Sequence, residues 1–274
     1  MASRKRTTVG WPMTPAMVLK LGAIDAFPQS ASNFKPTDEW THTYRIWTCH
    51  GYIESGNESV GYLKIERKGG PNRTFVLNVE QKIVQSEGDL HVLRAKVQCR
   101  RDPLCSPTAW TLTSTHYGTD GKIQRDLSTE KQARRTNDTI ETMINGKTAV
   151  RKIPTMTLTA DWCLFEAVQR LPFEDTVSLG FDMLEGLSIM RPDHKLTYRG
   201  APEGKSSQVG GLRGFQQLGL GRGPCEWWLD DKHRLVMASM FARVYLLDDK
   251  AESILAKALA SSRAEYTRKS ERGK

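Results

Sequence analysis

The chain has 274 residues, of which 38% are hydrophobic and 26% charged, so it can bury a core and does not fall in the disordered class. A formal net charge of +9 makes the surface attractive to phosphate polymers and anionic headgroups without conferring specificity. No 18 apolar residues run together, which excludes a membrane-spanning helix, and Gly10, Pro12, Thr14, Pro15 and Lys20 interrupt every candidate signal core after Arg4, Lys5 and Arg6. The location expected on that ground is cytoplasmic, or the cell envelope if a leader has been removed.

Residues 1–40 mix Pro, Ser, Lys and scattered apolar residues without a sustained period. They are expected to form an extended or partly disordered arm, with room for a short helix around Met17 to Ala26. From Thr41 the period becomes two: His42, Tyr44, Ile46, Thr48 and His50 share one side, and Arg45, Trp47 and Cys49 the other. Both sides carry bulk, so both are expected to be covered. Strands follow at Ser59 to Arg67, Arg73 to Gln85, Leu90 to Arg101 and Thr108 to Tyr117, separated by short turns rich in Gly, Asn and Asp. Asp120-Gly121 marks a tight turn back into Lys122 to Leu127, and Asn145-Gly146 one between Thr139 to Ile144 and Lys147 to Ile153.

Thr159-Ala160-Asp161 then caps a helix whose Leu164, Phe165, Val168 and Leu171 form one apolar stripe before Pro172 ends it. Strand patterns resume at Thr176 to Asp182, Leu187 to Met190 and Lys195 to Tyr198. Residues 200–223, rich in Gly and Ser, read as a long loop carrying Lys205, Arg213 and Arg222. Cys225 to Leu229, Arg234 to Phe241 and Arg243 to Leu247 complete the strands. Asp249 and Glu252 then open a C-terminal helix as a capping box, buried through Ile254, Leu255, Ala258 and Leu259 and fraying beyond Ser261. The fold class expected is mainly β: a long antiparallel meander curled as a half-barrel or open barrel, with one mid-chain helix and a C-terminal helix. Residues 41–262 are expected to form a single β domain and residues 263–274 a basic tail.

Chemical signatures are sparse. Gly204-Lys205-Ser206 resembles the end of a phosphate-binding loop, but Arg199 stands where the first Gly is needed. Gly219, Gly221 and Gly223 precede a strand, not a helix, and suit turn geometry better than a dinucleotide fingerprint. His42 and His50 lie about 25 Å apart along an extended strand and cannot share an ion, while His91 and His116 could meet only through the fold. The five cysteines contain no C-x-x-C pair and read as buried thiols. Cys99 and Cys105 bracket a Pro-containing turn that could bring them within disulfide reach, and the sequence leaves that pairing open. Cys163, near a helix N-terminus, is the one thiol placed for activation, yet the position suits a small buried residue equally well. Asp230, Asp231, Asp248 and Asp249 sit at turns and caps. No catalytic residue, metal ligand or cofactor is therefore assigned.

Three segments carry a resemblance: Tyr117-Gly-Thr-Asp-Gly-Lys122, Asp161-Trp-Cys-Leu-Phe-Glu-Ala-Val-Gln-Arg-Leu-Pro172 and Glu226-Trp-Trp-Leu-Asp-Asp-Lys-His-Arg-Leu-Val236. In their order along residues 41 to 247 the chain resembles the LolA/LolB-like and DUF3108-like bacterial half-barrel proteins. The resemblance implies a sheet curled around a helix and an apolar cavity, holding an acyl chain or another apolar or amphipathic ligand. Trp162, Phe165, Arg213 and Phe215, on the helix and at the glycine-rich segment, are the expected ligand contacts. Two alternatives stand beside this non-enzymatic binding role. One is a basic interaction protein that docks weakly on nucleic acid or another anionic assembly through its tails, with Trp47, Tyr52, Trp110, Tyr117 and Tyr198 as stacking platforms. The other is a hydrolase using Cys163. The oligomeric state is not readable.

Overall fold

The computed structural model describes residues 12–48, 58–71, 74–84, 88–153, 157–203, 209–240 and 243–272. Cys49, His50, Tyr52 and the Gly204-Lys205-Ser206 segment lie outside the described residues. After a short helix α1 (Pro15–Lys20), eight strands follow: β1 (Trp40–Thr48), β2 (Glu58–Gly69), β3 (Thr74–Val84), β4 (Leu90–Arg100), β5 (Pro107–Tyr117), β6 (Thr129–Thr136), β7 (Thr139–Ile144) and β8 (Lys147–Lys152). Next come β9 (Leu158–Ala160), helix α2 (Asp161–Arg170), β10 (Ser178–Glu185) and β11 (Ile189–Gly200). The chain ends with β12 (Arg213–Gly219), β13 (Arg222–Leu229), β14 (Leu235–Met240), β15 (Arg243–Leu247) and helix α3 (Ala251–Arg272).

Among the described residues fifteen strands join one sheet in the order β8 to β1, then β15 to β9. Two meanders are thus zipped together by the first and last strands, with Tyr44 opposite Leu247 and Ile46 opposite Tyr245. Each neighbouring pair is antiparallel except β9 with β10, which runs parallel. Strict alternation drives the curl: Phe75, Leu77, Val79, Gln81 and Ile83 of β3 all face inward, and the residues between them face out. The sheet is open and does not close on itself. At one end β9 approaches the β4–β5 hairpin through a side-chain bond, Thr159 Oγ1 donating 2.6 Å to the Leu104 carbonyl. At the other end β6 to β8 project beyond this seam, and the free edge β8 is fully exposed and carries Lys147, Arg151 and Lys152, charges that discourage edge-to-edge pairing.

Helix α2 fills the curl, and from Trp162 to Gln169 every residue is buried. Phe165 meets Tyr44, Trp227 and Tyr245 edge-on, with ring centroids 5.1, 5.2 and 5.5 Å away. Such edge-to-face contacts add to the area each ring buries. The polar side chains of the helix are equally committed. Glu166 receives Arg67 Nε of β2 at 3.0 Å and Arg170 Nε at 2.8 Å. Arg67 also donates to the carbonyls of Thr37 and Asp38 and lies over the Phe75 ring at 4.5 Å. Gln169 Oε1 accepts the Leu235 N–H at 3.1 Å, beside an irregularity in the β13–β14 ladder. One helix is therefore tied to both halves of the sheet by groups that find no water.

The outer face around β1, β2, β14 and β15 is covered as well. Met13 and Val18 are fully buried, the Met13 N–H reaching Ser239 Oγ at 3.0 Å. On the same face Arg45 pairs with Asp248 at 3.0 Å and donates to the Ala23 carbonyl. Helix α3 packs Ala251 and Leu255 against Tyr62, and Lys64 pairs with Glu252.

Several expectations need correction. Lys122 to Leu127 forms only an isolated bridge at Ile123 and a single 3₁₀ turn, and the returning strand is β6. The stretch 200–223 is not a long loop: it holds β12 and the start of β13. Gly214 and Gly219 serve packing, because a Cβ at Gly214 would lie 2.5 Å from the Trp228 ring and one at Gly219 2.2 Å from His194. Leu187 belongs to a turn, and β11 runs unbroken from Ile189. The parallel strand β9 had no sequence signal. Thr159 does not cap α2; Asp161 Oδ1 takes the Trp162 N–H instead. Asp248, not Asp249, accepts the Lys250 N–H at the start of α3, which continues through Arg272 rather than fraying after Ser261. The Asn145-Gly146 turn has φ of 47° and 81°, the left-handed pair a two-residue hairpin requires.

Removing Glu166 leaves two guanidinium groups buried beside an empty site. Glu166→Ala is expected to lower unfolding stability by about 3–5 kcal/mol, whereas Arg94→Ala, which breaks an exposed pair with Glu80, should cost at most about 1 kcal/mol. Urea unfolding of the two variants checks this, and similar losses would contradict it.

Candidate functional site

A cavity of about 690 Å³ lies within the curl, between the first turn of α2 and the sheet. Trp162, Phe165, Met240 and Tyr245 form apolar walls, and Leu93 contributes from the opposite meander. Charged groups gather on one side: Asp161, Glu185, Arg222 and Arg243. The β10–β11 and β12–β13 turns contribute Gly186 and Gly221, whose φ angles of 54° and 73° let the backbone reverse tightly.

Asp161 is the first residue of α2, and its carboxylate is held by two N–H donors: Trp162 at 3.0 Å and Gly186 at 3.1 Å. Burial nevertheless pushes its carboxyl up to about 6, with Arg222 and the two amides pulling the other way. Arg222 has only 13% of its side chain exposed and stands 3.9 Å from Glu185 Oε1. Its other neighbours are soft: it donates to Met183 Sδ at 3.6 Å and Met240 Sδ at 3.3 Å. Thioether sulfur is a weak acceptor. Arg191 takes Glu185 more closely, at 2.8 Å, so Arg222 shares that carboxylate, and despite burial Cys225, Asp161 and Glu185 together hold its guanidinium above its ordinary range.

The adjoining strands add neutral polar groups. Gln217, 1% exposed, donates 2.9 Å to His194 Nδ1, which places the ring proton on Nε2. Burial and Arg222 push His194 down to about 4, so the ring is neutral at physiological pH. His194 Nε2 and Gln217 Oε1 both lack a protein partner. Two further depressions, about 600 Å³ over the outer face of β3 to β8 and about 880 Å³ beneath the N-terminal arm, are not bordered by this polar group.

Of the residues expected to contact a ligand, Trp162 and Phe165 line the cavity. Phe215 is buried opposite Trp227 against Tyr198, and Arg213 turns to the Leu212 carbonyl at 2.8 Å; neither borders the cavity. Asp161, Glu185 and Arg222 line the cavity too, although in the sequence Asp161 reads only as a helix cap and Arg222 only as a loop charge. Arg222 follows Gly221 in a hairpin turn, and that was the available signal. Cys163 does sit in the first turn of α2, but it is fully buried beside Cys99 and Cys105, and all three are free thiols. Cys99 and Cys105 are not disulfide-bonded. His91 and His116 stack at 4.3 Å across β4 and β5. The proposed stacking platforms Trp47 and Trp110 are core residues.

The geometry defines a class: a curled, barrel-like antiparallel sheet with an internal helix and an internal cavity. Among solved structures the chain is similar to a β-barrel-like protein of a domain of unknown function, DUF1849, from Brucella abortus. The TM-score is 0.51 at 7% identity, over 77% of this chain and 96% of that one. No family model matches the sequence, and no curated protein matches it. No helix among the described residues is long and apolar enough to cross a membrane.

Asp161 yields a pH prediction. Its folded-state pKa lies above the ordinary carboxylate value, so the folded protein binds the proton more tightly and loses stability as pH rises from about 4 to 6. Urea unfolding of the wild type and Asp161→Asn at pH 4, 5, 6 and 7 should show the wild type falling relative to the variant up to pH 6 and level above it. Parallel curves would contradict the assignment.

Proposed function

We propose that the protein is a binding protein whose cavity takes one small amphipathic anion. Its acidic group pairs with Arg222 and Arg243, and its apolar body lies against Trp162, Phe165, Met240 and Tyr245. The observation that carries this reading is Arg222: a nearly buried cation that borders the cavity, donates to two thioethers and meets its nearest carboxylate, Glu185, only at 3.9 Å. Burying an arginine is costly unless a strong acceptor meets it, and an incoming anion supplies that acceptor. A few convergent polar groups in an apolar pocket are the usual composition of a ligand site. The likeness of the sequence to LolA/LolB-like half-barrels supports the same reading and suggests an acyl chain as the body.

Asp161 tunes the site. Below about pH 6 it is protonated, the cavity loses one negative charge, and an anion binds more tightly. Titration with a fluorescent naphthalene sulfonate, whose charge is constant over this range, should show one saturable site in the folded protein. Affinity should rise several-fold from pH 7 to pH 5, and Asp161→Asn should flatten that rise. Arg222→Met should weaken binding at least tenfold, the loss of about 1.4 kcal/mol or more. Unchanged binding by Arg222→Met, with its fold verified by circular dichroism, would overturn the proposal.

A further inference from the structure

Away from that cavity, three cysteines meet in the seam where the curl nearly closes. Cys99 ends the inward face of β4, Cys105 lies in the β4–β5 connection, and Cys163 is in the first turn of α2. Their three sulfurs all lie within 4.8 Å of one another, and Cys99 Sγ and Cys163 Sγ are 3.8 Å apart. All three residues are wholly buried. No C-x-x-C pair marks them in the sequence, where 5 and 57 residues lie between them, and the fold brings them together.

The loop that presents Cys105 is fastened from several directions. Asp102 Oδ1 accepts the N–H groups of Leu104 and Ser106 at 3.1 and 3.0 Å. The Asp102 carbonyl receives Arg170 at 2.7 Å, and the Leu104 carbonyl receives Thr159. Within this frame Cys105 adopts a φ of 54°, a conformation that costs a non-glycine residue energy and turns its thiol inward to the other two.

We propose that Cys99, Cys105 and Cys163 form a binding site for one soft, thiol-seeking cation of the Zn²⁺ or Cu⁺ class. Sulfurs held about 2.3 Å from a central ion stand roughly 3.8 Å apart in a tetrahedral arrangement and 4.0 Å apart in a trigonal one; Cys99 and Cys163 already have that spacing at 3.8 Å, and Cys105 lies within 4.8 Å of both. A disulfide needs about 2.05 Å between sulfurs, so bridging any pair would draw the segments together and strand the third thiol. Among the described residues no His, Asp or Glu joins the cluster. Cu⁺ is satisfied by three thiolates, while Zn²⁺ would add a fourth donor. Binding displaces each remaining thiol proton to solvent and forms three metal–sulfur bonds, with no change in oxidation state. Because the site is sealed, the ion enters before the 101–106 loop closes, during folding. Its effect is to clamp α2 to the β4–β5 hairpin.

The test uses the full chain, unfolded and refolded anaerobically under reducing conditions with one equivalent of Zn²⁺, with one equivalent of Cu⁺, or with neither. One bound ion by native mass spectrometry is expected in at least one arm, and which arm gives it identifies the class. The bound ion should slow alkylation of Cys99, Cys105 and Cys163 in moderate urea at least tenfold, leaving Cys49 and Cys225 as internal controls. A Cys99→Ser, Cys105→Ser, Cys163→Ser triple variant should lose the ion. If it fails to fold, the wild-type alkylation pattern decides. No stoichiometric ion in either arm, equal protection of all five cysteines, an ion retained by the triple variant, or a disulfide between two of the three in protein isolated without reductant would overturn the proposal.

Discussion

The structure turns on a buried carboxylate. Glu166 lies at the centre of a helix that sits inside a curled sheet, and it is held by Arg67 from β2 and by Arg170 one turn further along the same helix. Burial pushes its carboxyl above the ordinary range, and the two guanidinium groups oppose that shift. Such a cluster adds little net stability over apolar residues of similar volume, but it is strongly destabilised when one member is lost. Its value here is positional. An amphipathic helix could slide or rotate in an aromatic nest, whereas Glu166 and Gln169 fix both its height and its rotation against the two meanders. Asp161 then falls at the β10–β11 turn, Trp162 and Phe165 at the cavity wall, and Cys163 at the seam.

From that constraint the cavity follows. A helix shorter than the curl leaves space at its N-terminal end, and the space is bounded by whatever the sheet presents there. These are the apolar faces of Met240 and Tyr245, with Arg222 against Met240 and Glu185 beyond it. Filling this space with side chains would have given a packed core. Leaving it open places the charged groups Asp161, Glu185, Arg222 and Arg243 around space instead of packed side chains. The barrel-like neighbour from Brucella abortus shares the curl and, at 7% identity, none of the argument about what fills it.

Much of the architecture was legible because period-two alternation and turn chemistry are local signals. The strands from Trp40 to Tyr117 and the Asn145-Gly146 hairpin could be read directly. The apolar stripe of α2 was also visible, but its burial on every side was not, since Glu166 and Gln169 look like solvent-facing residues until Arg67, 99 positions earlier, and Leu235, 66 positions later, are brought to them. The glycine-rich stretch around Gly214 and Gly219 misled for the same reason. Those glycines make room for Trp228 and His194, and neighbours across a ladder leave no local trace. The site was legible in part: Trp162 and Phe165 could be named from the helix, whereas Arg222 acquires its meaning only beside Asp161 and Glu185.

The central claim is that α2 is a fixed part of the curl and that its N-terminal end borders a preformed ligand space. Hydrogen exchange read residue by residue tests it most directly. Amides of Leu164 to Gln169 should exchange with the slowest strands of the sheet, and adding a saturating naphthalene sulfonate should slow exchange at the Gly186 and Gly221 turns while leaving the β7–β8 hairpin unchanged. Fast exchange across α2 in the free protein, or a sulfonate effect confined to β6 to β8, would contradict the account.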